Sequence, residues 1–293
     1  MLKLYVHKQE VPVTLTRFPA GESLISITEP EIRLLDREPL NINITCRFES
    51  NDDIINLLLL TDSVKRQYIG YNTHIALTIP YFPYARQDRV CNKGESLSVK
   101  VIVDLINSQN YDKVYVTDAH SEVTPALINN CINIKLDSAA FRLKQIRKPE
   151  NTILVSPDAG ANKKVFEFAK IHGYEQVVRA DKTRDVKTGK ITGTKVYWEE
   201  EYEDVEYFRI RTKPTTATTD KDFLILDDIL DGGGTFNPLA EELKKLTTGK
   251  VYLYVTHGIF TKGINNLDRT IEQIYVSNLM NVSLKTDPFI KEI

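Results

Sequence analysis

The chain has 293 residues, enough for two domains of ordinary size or one large one. Its 42% hydrophobic and 27% charged content is that of a soluble globular protein, and a net charge of −2 gives no footprint for a nucleic-acid backbone or an anionic membrane as partner. No apolar run reaches the length of a membrane span, residues 1–6 read as a first strand rather than a signal peptide, and Cys46, Cys91 and Cys131 lack metal-ligand spacing, so a reducing cytoplasm is the expected compartment.

Residues 2–7, 11–17 and 24–28 are β-rich runs separated by turn residues. Residues 41–47 alternate Ile42, Ile44 and Cys46 against polar neighbours, the pattern of a half-buried strand. Ser50-Asn51-Asp52-Asp53 is a capping sequence for a helix that runs through Leu57-Leu58-Leu59-Leu60 to about residue 69. A strand over 73–79 is stopped by Pro80, and a polar loop fills 81–95. Helical spacing returns over 96–108 (Leu97, Val101, Leu105), followed by strands at 113–117 and 133–136 and a helix at 139–147. The second half repeats the alternation with strands at 152–156, 176–179, 223–226, 251–256 and 273–276, and helices at 162–172 and 238–246. Strands alternating with helices predict two parallel-sheet α/β units, 1–137 and 138–293. Residues 194–212 break the alternation: aromatic and β-branched runs flank an acidic centre, which predicts a β-hairpin or flap added at a sheet edge.

The stretch Phe223 to Phe236 orders an apolar strand, the acids Asp227, Asp228 and Asp231, the glycines Gly232, Gly233 and Gly234, and Thr235 before a helix. That order places free backbone N–H groups and a helix N-terminus around one small space, which holds a phosphate without a basic side chain. The paired carboxylates, expected at the carboxyl end of their strand, suit the vicinal hydroxyls of a ribose.

Arg86, Gln87, Asp88 and Arg89 follow the 73–79 strand, where the arginine forks suit phosphate oxygens. Tyr81, Phe82 and Tyr84 either stack on a base or pack. Asp118 and His120 close the next strand, and Asp158 stands just before a helix; His120 and Asp158 are candidate ligands for a shared magnesium. Lys182 and Arg184, two cations spaced by one residue, are expected in a mobile segment that closes over a transferring phosphoryl group.

Taken together and in this order, these stretches resemble the ribose-phosphate pyrophosphokinase (phosphoribosyl pyrophosphate synthetase) family. The most specific match is Pro80-Tyr81-Phe82-Pro83-Tyr84-Ala85-Arg86-Gln87-Asp88-Arg89. The Asp118/His120 strand end, Ser156 to Gly160, Asp181-Lys182-x-Arg184, Asp227 to Thr235, Thr256 to Phe260 and the Phe18-Pro19-Ala20-Gly21-Glu22 loop accompany it. The resemblance implies two phosphoribosyltransferase-like domains, the first on the ATP side and the second on the acceptor side. The implied reaction moves the β,γ-diphosphate of ATP to the C1 hydroxyl of ribose 5-phosphate, releasing AMP, with Mg2+ as cofactor.

By the same resemblance Arg86, Gln87, Asp88 and His120 line the ATP site, with Phe18 and Glu22 supplied by a neighbouring subunit, so a homo-oligomer, at least a dimer, is implied. Lys182, Arg184 and His120 are the implied catalytic residues, and His120 and Asp158 the metal contacts. Asp158, Asp227, Asp228, Asp231, Gly232, Gly233, Gly234 and Thr235 hold the acceptor.

Several positions depart from the family pattern. A helix before the Phe18 loop and a final helix are missing, Ala20 replaces an Asp, the 194–212 segment is longer, and Gly232 stands where a threonine is usual. The extra room at Gly232 keeps ADP-ribose open as an alternative acceptor, with a place in NAD metabolism. A catalytically inactive regulatory relative is a further alternative, weakened by the presence of Lys182, Arg184, His120 and Asp158. A phosphoribosyltransferase shares the acidic loop but has no use for the Pro80–Arg89 and Asp118–His120 sites.

Overall fold

The computed structural model describes residues 1–28, 39–135, 137–184, 191–200, 211–214, 219–267 and 270–293. The chain divides into two compact units, Met1–Lys135 and Leu136–Ile293.

In unit one the order is β1 (Leu2–Val6), β2 (Gln9–Val11), β3 (Val13–Arg17), β4 (Ser23–Ile27), β5 (Leu40–Cys46), α1 (Asp52–Gln67), β6 (Thr73–Ile79), α2 (Ser98–Asn107), β7 (Lys113–Thr117), α3 (Val123–Leu127) and β8 (Cys131–Ile134). Within the described residues the main sheet runs β2-β1-β5-β6-β7-β8. Strands β5 to β8 are parallel, and β1 pairs antiparallel with both β2 and β5. Period-two alternation decides the core: Ile42, Ile44, Leu77, Ile79, Val114 and Val116 point to one face and are buried. Helix α1 covers that face with Ile54, Leu57, Leu60 and Val64, spaced three to four apart so that they share one stripe.

Two local expectations are corrected here. The run 11–17 is not one strand, because Pro12 cannot donate to a ladder and separates β2 from β3. Residues 50–53 do start α1, but the N-cap Asn51 makes no side-chain cap bond. Asp53 instead accepts from the N–H groups of Glu49 (2.8 Å) and Ser50 (2.9 Å), which stiffens the approach to the helix.

Unit two continues with α4 (Asp137–Ile146), β9 (Thr152–Ser156), α5 (Asn162–His172), β10 (Val177–Arg184), β11 (Ile191–Glu200), β12 (Arg211–Pro214), β13 (Asp222–Leu230), α6 (Phe236–Lys244), β14 (Val251–Gly258), β15 (Ile271–Leu279) and β16 (Ile290–Glu292). Its sheet order is β12-β11-β10-β9-β13-β14-β15-β16. All eight residues of β14 and all five of β9 are buried, the mark of central parallel strands covered on both faces. Strand β11 pairs antiparallel with β10 and with β12, so the 194–212 segment adds strands at a sheet edge. Its acidic centre, 201–210, lies outside the described residues. Among the described residues no helix is long and apolar enough to cross a membrane.

Leu57 is 1% exposed at the centre of the α1 stripe. Leu57→Ala is expected to cost about 2–5 kcal/mol. Urea unfolding of the variant should show a lower midpoint, and an unchanged midpoint would mean that α1 does not hold the sheet.

Candidate phosphate and nucleotide sites

Strand β13 organises unit two. It runs to Leu230, so Asp227 and Asp228 lie inside the strand rather than beyond its end, as 223–226 alone suggested. The reason is register: Asp227 pairs with Val255 and Ile229 with His257 of β14, and that ladder outweighs the poor strand propensity of aspartate. Asp228 is 7% exposed and Asp227 is half-buried. Loss of solvent pushes the Asp227 carboxyl well above the usual carboxylate range. The charges of Asp228 and Asp158 push it the same way, and the Asp228 N–H, which donates to Asp227 Oδ1 at 2.9 Å, offsets only part of this.

Asp158 arrives from the end of β9. Its Oδ1 accepts from the N–H groups of Gly160 (3.1 Å) and Ala161 (3.2 Å), a turn that leads into α5. The Ser156 hydroxyl donates to the Asp158 carbonyl at 3.1 Å. Three carboxylates thus act on one another at the carboxyl edge of neighbouring strands. Among the described residues no group of three or more His, Cys, Asp or Glu side chains is placed to hold a metal ion.

After β13 comes the glycine loop. Gly233 has φ 77, and a Cβ there would meet Leu267 Cδ2 at 2.5 Å, so both backbone and space demand glycine. Its carbonyl accepts from Phe236 N (3.0 Å) and Asn237 N (3.1 Å), which starts α6 two residues before the expected Pro238. Among the described residues, the N–H groups of Gly232, Gly233, Gly234 and Thr235 donate no hydrogen bond. Thr235 is the N-cap, yet its side chain makes no cap bond. Four consecutive unused N–H groups, a free hydroxyl and a helix N-terminus form an anion cradle. Asp231 is engaged from the side, accepting a short hydrogen bond from the Thr261 hydroxyl. His257, at the end of β14, is 2% exposed and contacts Asn278 through Nδ1 at 3.1 Å, so it braces the sheet edge.

Lys182 and Arg184 lie in β10, not in a loop: Lys182 pairs with Thr194 and Arg184 with Ile191 of β11. The hairpin partner extends the strand past Arg179, where 176–179 had suggested an end.

In unit one the Pro80–Arg89 stretch leaves β6 beside β7, because Ile79 pairs with Val116. Phe82 is 2% exposed and belongs to the core, so it packs rather than stacking on a base. Tyr84 holds φ 60, and its hydroxyl donates to Asn51 Oδ1 at 2.6 Å, which pins the loop. Arg86 and Gln87 are exposed.

Asp88 meets the β7 end. Burial would raise its pKa, but the Ser121 hydroxyl, Arg89 (Nε to Oδ1, 3.1 Å) and the nearby His120 together hold it below the usual carboxylate range. His120 is exposed, whereas Asp118 is buried with φ 44 and its N–H donates to the Ile134 carbonyl at 2.8 Å. Arg86, Gln87, Asp88 and His120 therefore share one end of the unit-one sheet.

Phe18 and Glu22 are exposed at the tip of the β3–β4 hairpin, closed by Phe18 N to Glu22 O at 2.8 Å. Lys262 was not signalled by sequence: a lone lysine in a turn carries no motif. Its side chain nevertheless lies against Gly232.

A glycine cradle behind an acidic strand, at the carboxyl edge of a parallel sheet, defines a phosphoribosyltransferase-like α/β unit. The family model for the N-terminal domain of ribose phosphate pyrophosphokinase matches residues 3–109. A ribose-phosphate pyrophosphokinase of Pyrococcus furiosus is 28% identical over 295 aligned positions, covering 98% of this chain and 93% of its own. One from Haemophilus ducreyi is 28% identical, covering 92% and 79%. The phosphoribosylpyrophosphate synthetase structure from Mycobacterium smegmatis superposes with a TM-score of 0.75 at 19% identity, over 97% of this chain and 86% of that one. The chain is thus similar along most of its length to ribose-phosphate pyrophosphokinases, and its first 109 residues carry the match to their N-terminal domain.

Asp227 binds its proton more tightly in the folded chain than in the unfolded one. Stability therefore falls as pH rises from the ordinary Asp value of about 3.9 through the raised one. Asp227→Asn is expected to flatten that decline and raise Tm at neutral pH by about 2–4 °C, the shift that roughly 1 kcal/mol produces in a domain of this size. Melting curves across pH check this; parallel curves for the variant and the parent would refute the repulsion.

Proposed function

We propose that this chain is an ATP-dependent diphosphotransferase that makes phosphoribosyl pyrophosphate from ribose 5-phosphate, releasing AMP. The observation that carries it is the run of four unused N–H groups from Gly232 to Thr235, set directly after the acidic pair of β13. The cradle takes the 5′-phosphate, and Asp227 and Asp228 accept from the ribose hydroxyls. Hydroxyl donors arriving at the pair stabilise its negative charge and offset the repulsion that favours a proton on Asp227.

In the reaction the C1 hydroxyl oxygen attacks the β-phosphorus of ATP, and the bond from that phosphorus to the α,β-bridging oxygen breaks. AMP leaves with that oxygen, and the C1 hydroxyl proton goes to solvent. No protein atom need become covalently attached, so positioning and charge balance supply the rate. Arg86 and Gln87 orient ATP phosphates, Asp88 fixes Ser121 and His120 beside them, and Lys182 and Arg184 balance charge on the transferring group. A magnesium ion would supply neutralisation of phosphate oxygens; Asp158 in unit two and His120 in unit one are each candidate side chains for such an ion. The exposed Phe18–Glu22 hairpin tip is read as a contribution to a neighbouring copy's adenine site, which makes the working form at least a dimer.

ADP-ribose is a second acceptor reading: the room expected at Gly232 is bordered by the Lys262 stem, 3.4 Å from where a Cβ would stand, but a Cβ at Gly234 would meet nothing within 4 Å. AMP release from magnesium-ATP, compared with ribose 5-phosphate and ADP-ribose, decides between them. Turnover with ribose 5-phosphate is expected; turnover only with ADP-ribose reassigns the acceptor, and none with either indicates the inactive relative.

Lys182→Ala and Arg184→Ala are each expected to lower kcat about a hundredfold or more, as loss of a transition-state donor does. Near-parental rates in both variants remove these cations from the chemistry.

A further inference from the structure

The phosphate cradle has no cation on its own loop: residues 231–236 are Asp, Gly, Gly, Gly, Thr and Phe. A helix N-terminus supplies about half an elementary charge, while a phosphate monoester brings about −1.5 to −2 at pH 7. Asp231 opens the loop, and the strand that leads into it carries Asp227 and Asp228 with Asp158 acting on them, so this edge offers acids rather than cations to an anion. Backbone N–H groups can orient a phosphate there, but a full positive charge must come from elsewhere.

Lys262 is placed to supply it. A Cβ at Gly232 would stand 3.4 Å from Lys262 Cδ, 3.6 Å from Cε and 3.9 Å from Nζ. The lysine stem therefore runs along the glycine loop at van der Waals distance, with its ammonium beside Gly232. Lys262 is exposed and, among the described residues, makes no hydrogen bond or ion pair. Its backbone is nonetheless anchored: Thr261 is tied to Asp231, Phe260 is fully buried, and Gly263 N donates to Phe260 O at 3.0 Å. An ammonium with three donors on an anchored turn, next to four unused N–H groups, completes an anion site.

We propose that Lys262 is a specificity-determining residue that neutralises the 5′-phosphate of the acceptor sugar across the glycine loop. The proposal rests on the reading of that loop as the acceptor's phosphate cradle. Its alternative is a lysine stem that merely covers Gly232, and a methionine would preserve that covering without the charge.

Isothermal calorimetry on the full chain with magnesium tests it, with ribose 5-phosphate and, separately, ATP as the titrants. Lys262→Met is expected to weaken ribose 5-phosphate binding about tenfold or more, the loss of one charge-assisted hydrogen bond, while ATP affinity and Tm stay as in the parent. Lys262→Arg should retain most of the affinity. Equal ribose 5-phosphate affinity in parent and Lys262→Met overturns the proposal, as does a parent that does not bind ribose 5-phosphate. Because the readout is binding, a chain that binds ribose 5-phosphate through Lys262 but forms no AMP loses the proposed reaction while the role of Lys262 stands.

Discussion

Two adjacent carboxylates held in a strand between β9 and β14 set the terms for unit two. The ladder fixes their backbone, so they cannot swing apart to relieve their repulsion, and the buried neighbours Leu226 and Leu230 prevent solvent from screening it. What surrounds them makes sense as an answer to that constraint. Asp158 adds a third oxygen donor group, the glycine loop offers only donors, and Lys262 brings a cation to the rim.

Unit one treats its carboxylate in the opposite way. Asp88 is surrounded by Ser121, Arg89 and His120, groups that favour its ionised form, whereas Asp227 faces two other acids. The same residue type is thus charged and fixed in one unit and prone to hold its proton in the other. A charged Asp88 orders the donors around it, and Arg86 and Gln87 beside it are exposed.

Periodicity made the alternation of strands and helices legible, because apolar spacing records which face each element buries. The acidic pair, the glycines and the arginine-bearing loop were legible as chemistry, since each combines rare neighbours. Strand ends were not. Asp227 and Asp228 look like a turn, and only pairing with β14 makes them strand; Lys182 and Arg184 look like a loop, and only β11 holds them in a ladder. Both errors come from partners distant in sequence. Lys262 was invisible for a related reason, because its meaning depends on Gly232, thirty positions away.

Strand β10 starts parallel to β9 at Val177–Arg179 and continues antiparallel to β11 as far as Arg184. Beyond Arg179 its support comes from the hairpin rather than from the parallel core. A two-stranded ribbon of this kind bends at its root and resists deformation along its length, since every rung broken there costs a backbone hydrogen bond. The two cations are thus mounted near the free end of a lever. Any movement of one is coupled to the other through that ribbon, whose root lies near Arg179.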